Sequence, residues 1–94
     1  MSEAGKIARM FKVLSVETRV QMIELLRDRS LCVNALAKSL GITPAAVSQH
    51  LRILRDAEMV IDDKRGYYVH YRLNVRTLER FRVTAMQLLD YEAL

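Results

Sequence analysis

The chain has 94 residues, which fits one domain with a modest core. Apolar residues make up 51% of it, which excludes a disordered polyelectrolyte. Lys and Arg number 15 against 11 Asp and Glu, and the net charge of +4 favours a polyanionic partner without naming one.

The single cysteine, Cys32, can form neither an internal disulfide nor a multi-cysteine zinc site, so a reducing cytoplasm is the expected setting. The opening MSEAGKIARM lacks the apolar stretch of a secretion signal. No apolar run approaches the ~20 residues of a membrane span. With no repeat and no Pro/Gly/Ser-rich linker, residues 1–94 read as a single domain.

Residues 4–14 carry a helical pattern, with Ile7, Phe11 and Leu14 on one stripe beside Ala4 and Ala8. Ser15 is placed to cap a second helix, with Glu17 favourable against its dipole and an end near Arg27 or Asp28. Val20, Ile23 and Leu26/Arg27 follow one stripe there, widened by Met22 and Leu25. Arg19 and Arg27 are either phosphate contacts or solvated charges. Ser30-Leu31-Cys32-Val33 suits a brief strand. A third helix is expected over 34–40, with Asn34 a candidate cap and Val33, Leu36, Ala37 and Leu40 buried.

The run LAKSLGITPAAVSQHLRIL, Leu36 to Leu54, has the form of a helix-turn-helix. Gly41 is the turn, Thr43 can cap the next helix, and Pro44 fits its first position. At about 100° per residue, Val47, Leu51 and Leu54 fall together as core. The opposite arc carries Ala45, Ser48, Gln49 and Arg52, side chains suited to a helix in a DNA major groove. His50 lies at the edge of that arc and reads as a structural hydrogen-bonding residue.

From Met59 the pattern alternates. Met59-Val60-Ile61 is a strand, Asp62 to Gly66 a turn, and Tyr67 to Asn74 the return strand. Tyr67, Val69, Tyr71 and Leu73 would form its apolar face and Tyr68, His70 and Arg72 its polar one. Lys64 and Arg65 make the tip basic. Asn74 is placed to cap a last helix over about 75–91, with Leu78, Phe81, Ala85 and Leu88 on one stripe. Val75, Val83, Met86 and Leu89 add apolar surface on other faces. That is more than so small a domain covers, and the surplus points to a subunit interface shared with the first helix.

The expected fold is therefore mainly α with a small β-hairpin, a winged helix-turn-helix of ααα(HTH)ββα arrangement. The helix-turn-helix spans about 34–57 and the wing about 59–73. Dimerisation helices span about 4–14 and 75–91, with Ile7, Phe11, Leu78, Phe81, Ala85 and Leu88 at the interface. A basic hairpin after a helix-turn-helix is a stronger sign of double-stranded DNA binding than either part alone, and Lys64 and Arg65 are placed for phosphates or the minor groove. The competing reading is a winged-helix module that docks protein. No catalytic constellation and no phosphate-cradling glycine loop is present, so an enzyme is not expected.

The stretches FKVLSVETR, VQMIELL, SLCVNALAKSLGIT, AAVSQHLRILRDAEMV and RGYYVHYRL, in this order and spacing, resemble the ArsR/SmtB family of small bacterial winged-helix repressors. The resemblance implies a homodimer joined through its first and last helices, a palindromic operator, and release of DNA when an effector binds. It makes Ser48, Gln49 and Arg52 the groove-facing residues, with Thr43 and Ala45 at the helix start near phosphates. Many members sense metals through a Cys-x-Cys pair opening the third helix, where this chain has Cys32-Val33-Asn34. Others use Asp, His and Glu ligands on the last helix, which here has no histidine, only Asp90 and Glu92 near the end. Neither set is intact, so no cofactor and no metal effector is expected, and Cys32 reads as a small apolar residue or a lone thiol sensor. An organic effector, a protein partner or no effector remain. Where the family writes Ala-Gly-Leu-Val after the recognition helix, this chain has Ala57-Glu58-Met59-Val60. Either Glu58 takes a positive φ at a cost of roughly 1 kcal/mol, or the helix exits by another route.

Overall fold

The computed structural model describes residues 2–94. In order these form α1 (Glu3–Val13), α2 (Glu17–Leu25), β1 (Leu31–Cys32), α3 (Val33–Leu40), α4 (Pro44–Asp56), β2 (Val60–Arg65), β3 (Tyr68–Leu73) and α5 (Val75–Leu88), with a 3₁₀ turn at Tyr91–Ala93. The strands make one antiparallel sheet in the order β1-β3-β2.

Local chemistry explains the helix starts, and corrects three expected caps. Ser2 caps α1, its Oγ accepting from the Gly5 N–H at 3.0 Å. Ser15 does not cap α2. Its hydroxyl turns back and donates to the Lys12 carbonyl at 2.7 Å, so α2 starts after Val16 with no side-chain cap. Asn34 is not a cap either, because α3 begins a residue earlier, directly after Cys32 at the end of β1. Asn74 does occupy the N-cap position of α5, but its side chain makes no capping bond. Helices α2 and α5 end earlier than their apolar patterns run, at Leu25 and Leu88.

The core lies under the helix-turn-helix. Met22, Leu36, Val47, Leu51, Leu54, Met59 and Val60 are its largest fully buried side chains, with Val13, Leu26 and Ala37 beside them. Val20, expected on the α2 stripe, is 41% exposed; the buried side of α2 is the Met22–Leu26 line. The terminal helices ride on the outside. Ile7 and Val13 are the buried residues of α1, and Thr77 is the buried residue of α5. Leu78 packs against the core, whereas Val75, Val83, Met86, Leu88, Leu89 and Tyr91 are exposed. The radius of gyration of 14.5 Å exceeds the roughly 12 Å of a compact chain of this length. So much apolar surface on one helix and the turn that follows it is a feature that a single copy leaves uncovered.

The wing is longer than the sequence suggests and its turn tighter. β2 continues through Asp62-Asp63-Lys64-Arg65 to pair Arg65 with Tyr68, leaving only Gly66 and Tyr67 as the turn. Gly66 has φ 62°, and Tyr67 is not among the positive-φ residues. That combination is a type II′ hairpin turn, whose first central position selects glycine. Tyr67 is consequently at the tip, fully exposed, and not on the apolar face; Val69 is also exposed, and only Tyr71 and Leu73 of that face pack inward.

Candidate nucleic-acid interface

The recognition helix is held by its two ends and its back. At the front end Gly41, φ 67°, closes α3, and the Ile42 N–H donates to the Ala37 carbonyl at 3.2 Å. Thr43 Oγ1 then accepts from the Ala46 N–H at 3.1 Å, and Pro44 fills the first helical position, where no N–H is required. Along the back, Val47, Leu51 and Leu54 are essentially inaccessible. At the far end the chain leaves through a Schellman motif. The Glu58 N–H donates to the Arg55 carbonyl at 2.8 Å and the Met59 N–H to the Leu54 carbonyl at 2.9 Å. Glu58 has φ 60° and is the positive-φ non-glycine residue among those described. The alternative exit is thereby excluded, and Glu58 carries the backbone cost that glycine would avoid.

With its back seated, α4 turns one arc outward. Thr43, Ala45, Ser48, Gln49 and Arg52 are all exposed. None of the Ser48, Gln49 and Arg52 side chains enters the hydrogen bonds or ion pairs found among the described residues. The wing starts immediately after the Schellman turn. Its base is held to α4 by an Arg55–Asp62 contact of 4.0 Å, half exposed and worth little. At the tip Lys64 and Arg65 are exposed; Arg65 leans on Asp63 at 3.5 Å, and Lys64 is in no ion pair among the described residues. Beside them stand Tyr67, fully exposed, and Tyr68, 61% exposed, which the alternation pattern had divided between two faces.

His50 is the structural residue its position suggests. Its Nδ1 accepts from Arg19 Nε at 3.2 Å, and Arg19 Nη1 also donates to the Val13 carbonyl at 3.1 Å. Burial first, then the Arg19 charge, hold the imidazole below its ordinary pKa. Arg19 therefore turns inward between α1 and α4, while Arg27 stays exposed.

On the side expected to form a subunit interface, Phe11 and Phe81 stack edge-on with centroids 5.2 Å apart at 72°. Ile7 is covered within the chain, Leu78, Phe81 and Ala85 are half-buried, and Leu88 is open. A wide cleft lies along the same side, about 730 Å³, where α1, the end of α4 and α5 meet; Met10, Thr77, Arg80 and Phe81 are in its wall.

The donor set for a metal is thin. Cys32 is the chain's one thiol and half-buried. Sheet register puts it in a lateral row with His70 and Asp63, a neighbourhood that sequence spacing alone does not reveal. His70 Nδ1 is buried without a partner. Even so, no three His, Cys, Asp or Glu side chains among the described residues come close enough to hold an ion. The residues present do not fit a thiolate-rich metal centre within one chain.

Comparison with known proteins agrees with this geometry. The profile described as "Bacterial regulatory protein, arsR family" matches residues 17–62, which run from the start of α2 into the wing. The transcriptional repressor SdpR of Bacillus subtilis (strain 168) is 32% identical over 69 residues, 73% of this chain and 77% of that protein. The arsenical resistance operon repressor of Escherichia coli (strain K12) is 39% identical over 66 residues, 69% of this chain but only 56% of that protein. In three dimensions an ArsR-like transcriptional regulator from Rhodococcus sp. RHA1 superposes with a TM-score of 0.81 at 26% identity, covering 95% of this chain and 83% of that one. The likeness takes in the helix-turn-helix, the wing and the flanking helices together, and the chain belongs to the ArsR family of bacterial regulatory proteins, DNA-binding transcriptional regulators built as a winged helix-turn-helix.

Proposed function

We propose that this chain acts in the cytoplasm as a homodimeric repressor. Two α4 helices would enter successive major grooves of a two-fold symmetric operator, and an effector would release them. The observation that carries the reading is the division of α4, with three core side chains locking its back and an unengaged arc of Ser48, Gln49 and Arg52 facing out. Gln pairs bidentately with adenine and Arg with guanine, each pair discriminating by about 1–3 kcal/mol. Thr43 and Ala45 would lie near a phosphate at the helix start, where backbone N–H groups favour negative charge. Lys64 and Arg65 would meet the backbone or the minor groove from the wing. The exposed stripe of α5 supports pairing with a second copy, with Phe11, Phe81, Ala85 and Leu88 contributing and Ile7 and Leu78 backing them from within. Among the described residues no helix is long and apolar enough to cross a membrane. The role is regulation and not catalysis.

The effector is the open part of the reading. A relative is named for arsenical resistance, so an inorganic effector is within the family's range. A soft ion needs several thiolates, and this chain offers Cys32 alone. We therefore place the effector outside a single-chain thiolate site.

Selection of bound duplex from a random pool tests the reading. The expected product carries two related half-sites about 10 base pairs apart or a multiple of that. Its binding should weaken by about 0.9 log unit per log unit of salt for each phosphate neutralised. Pairing Gln49→Ala with Arg52→Ala should abolish the preference for that duplex in a folded protein. A pool that never enriches, or equal binding to random duplex at every salt concentration, overturns the repressor reading.

A further inference from the structure

The Arg19 guanidinium joins two elements with different tasks. One nitrogen donates to the Val13 carbonyl, among the carbonyls that the end of α1 leaves without a helical partner. Another donates to His50, in the middle of α4. The guanidinium is planar and its donors are fixed relative to each other, so both bonds together set where His50 sits relative to α1. His50 is next in sequence to Gln49 and two residues from Ser48 and Arg52. One residue of helix is about 100° of rotation, so holding His50 also holds the direction in which those three side chains face.

We infer that Arg19 is a positioning residue for DNA reading. Through His50 it fixes the rotation of α4 and couples that rotation to the terminal helix α1. The inference rests on the DNA-reading role proposed above for α4. It also gives the helices that form the proposed dimer a direct polar connection to the reading head, besides the general packing of the core.

The connection has a chemical signature. Arg19 Nε–H needs a lone pair on His50 Nδ1, so the imidazole must be neutral with its proton on Nε2. Protonation removes the acceptor and leaves two cations side by side. The neighbours of His50 on its own helix, Ala46, Val47, Ile53 and Leu54, carry no charge. From α2 the facing charge is Arg19. The charged residue of α3, Lys38, is exposed, as is Lys12 beside Val13, and Asp62 of β2 is held at the far end of α4 by Arg55. Burial and Arg19 both lower the imidazole pKa. The bond is therefore complete above the ordinary value near 6.5 and is lost as pH falls through the depressed one.

The test has two readouts. The first is an NMR titration of the His50 ring in the dimer without DNA. Arg19→Met should move its pKa upward; no movement overturns the inference. The second is affinity for the duplex selected by the wild-type protein, measured from pH 7.5 to 5.5. Arg19→Met and His50→Ala should each lose on the order of tenfold at pH 7.5. His50→Asn, which keeps an acceptor near the Nδ1 position and does not titrate, should recover part of that loss and bind with a flatter acid limb than wild type. An Arg19→Met dimer that binds within twofold of wild type overturns the inference, as does an identical pH profile for wild type and His50→Asn. If Arg19→Met does not fold, the His50→Asn profile decides alone. If the wild type selects no duplex, the repressor reading falls while the NMR titration still decides whether Arg19 holds His50.

Discussion

Replacing Glu58 by glycine should stabilise this protein, and the size of the gain follows from the backbone. Glu58 stands at the left-handed position of the Schellman motif that ends α4, with φ 60°. An L-residue pays roughly 1–2 kcal/mol for that conformation, and glycine pays almost none of it. Glycine has its own cost, because it frees the unfolded chain by about 0.4–1 kcal/mol. The side chain contributes little in return. It is exposed and takes part in none of the ion pairs found among the described residues. The net is a stabilisation of about 0.5–1 kcal/mol, or about 2–8 °C in Tm for a domain of this size. Urea denaturation at one fixed protein concentration measures it, with the concentration held because the proposed dimer would make stability depend on it. Glu58→Ala is the control. It removes the side chain, keeps the strain, and should lie within about 0.5 kcal/mol of the parent. If Glu58→Gly is no more stable than Glu58→Ala, the conformation at position 58 is not strained and the cost assigned to it is wrong.

Gly41 offers the converse. A Cβ there meets nothing within 4 Å, so Gly41→Ala should pay the left-handed strain less the freedom that alanine removes from the unfolded chain, a net cost of about 0.5–1 kcal/mol in the same denaturation. Thr43→Ala should remove one capping bond and cost about 0.5–2 kcal/mol, with the helix-turn-helix still assembled by circular dichroism. Lys64→Ala should weaken selected and random duplexes alike and lower the salt slope by about 0.9, whereas an unchanged slope would place the wing tip away from phosphates. Leu88→Glu puts a charge on a side chain that is 59% exposed in one copy, so the monomer should keep its fold while sedimentation shows a dimer weakened by at least about 2 kcal/mol. An undisturbed dimer would move the subunit interface elsewhere.

Most of the helix-turn-helix was legible in the sequence because its determinants are local. Gly41, Thr43 and Pro44 act within one turn of each other, and the 3.6-residue period fixes which residues of α4 face in. The expected caps at Ser15 and Asn34 failed for a reason equally local in kind. A serine has two ways to satisfy its hydroxyl, and Ser15 takes the carbonyl behind it. Asn34 was displaced because a two-residue strand runs straight into α3. In the wing, the charged run Asp62 to Arg65 looked like loop, yet the ladder with β3 tolerates it because most of those side chains face solvent. The turn then shortened to Gly66-Tyr67, and that changed the chemistry of the tip by turning Tyr67 outward.

The interior of the site was less legible, because it is made by contacts between residues far apart in the chain. Arg19 precedes His50 by 31 positions, and nothing in its own neighbourhood distinguishes a guanidinium that will reach DNA from one that will turn inward. The same holds for Cys32, His70 and Asp63, which share a row only because β3 lies between β1 and β2. These two cases bear on regulation in opposite ways. The sheet row collects three metal-capable residue types without bringing them together as a site. The Arg19 bridge has one such residue, His50, whose Nδ1 lone pair the guanidinium already occupies, yet it links the helix that would feel a partner to the helix that would read DNA. An effector that altered the pairing of α1 and α5 would need to shift the Val13 carbonyl by only about an ångström to lengthen a 3.1 Å hydrogen bond beyond use. The loss would reach α4 through one side chain.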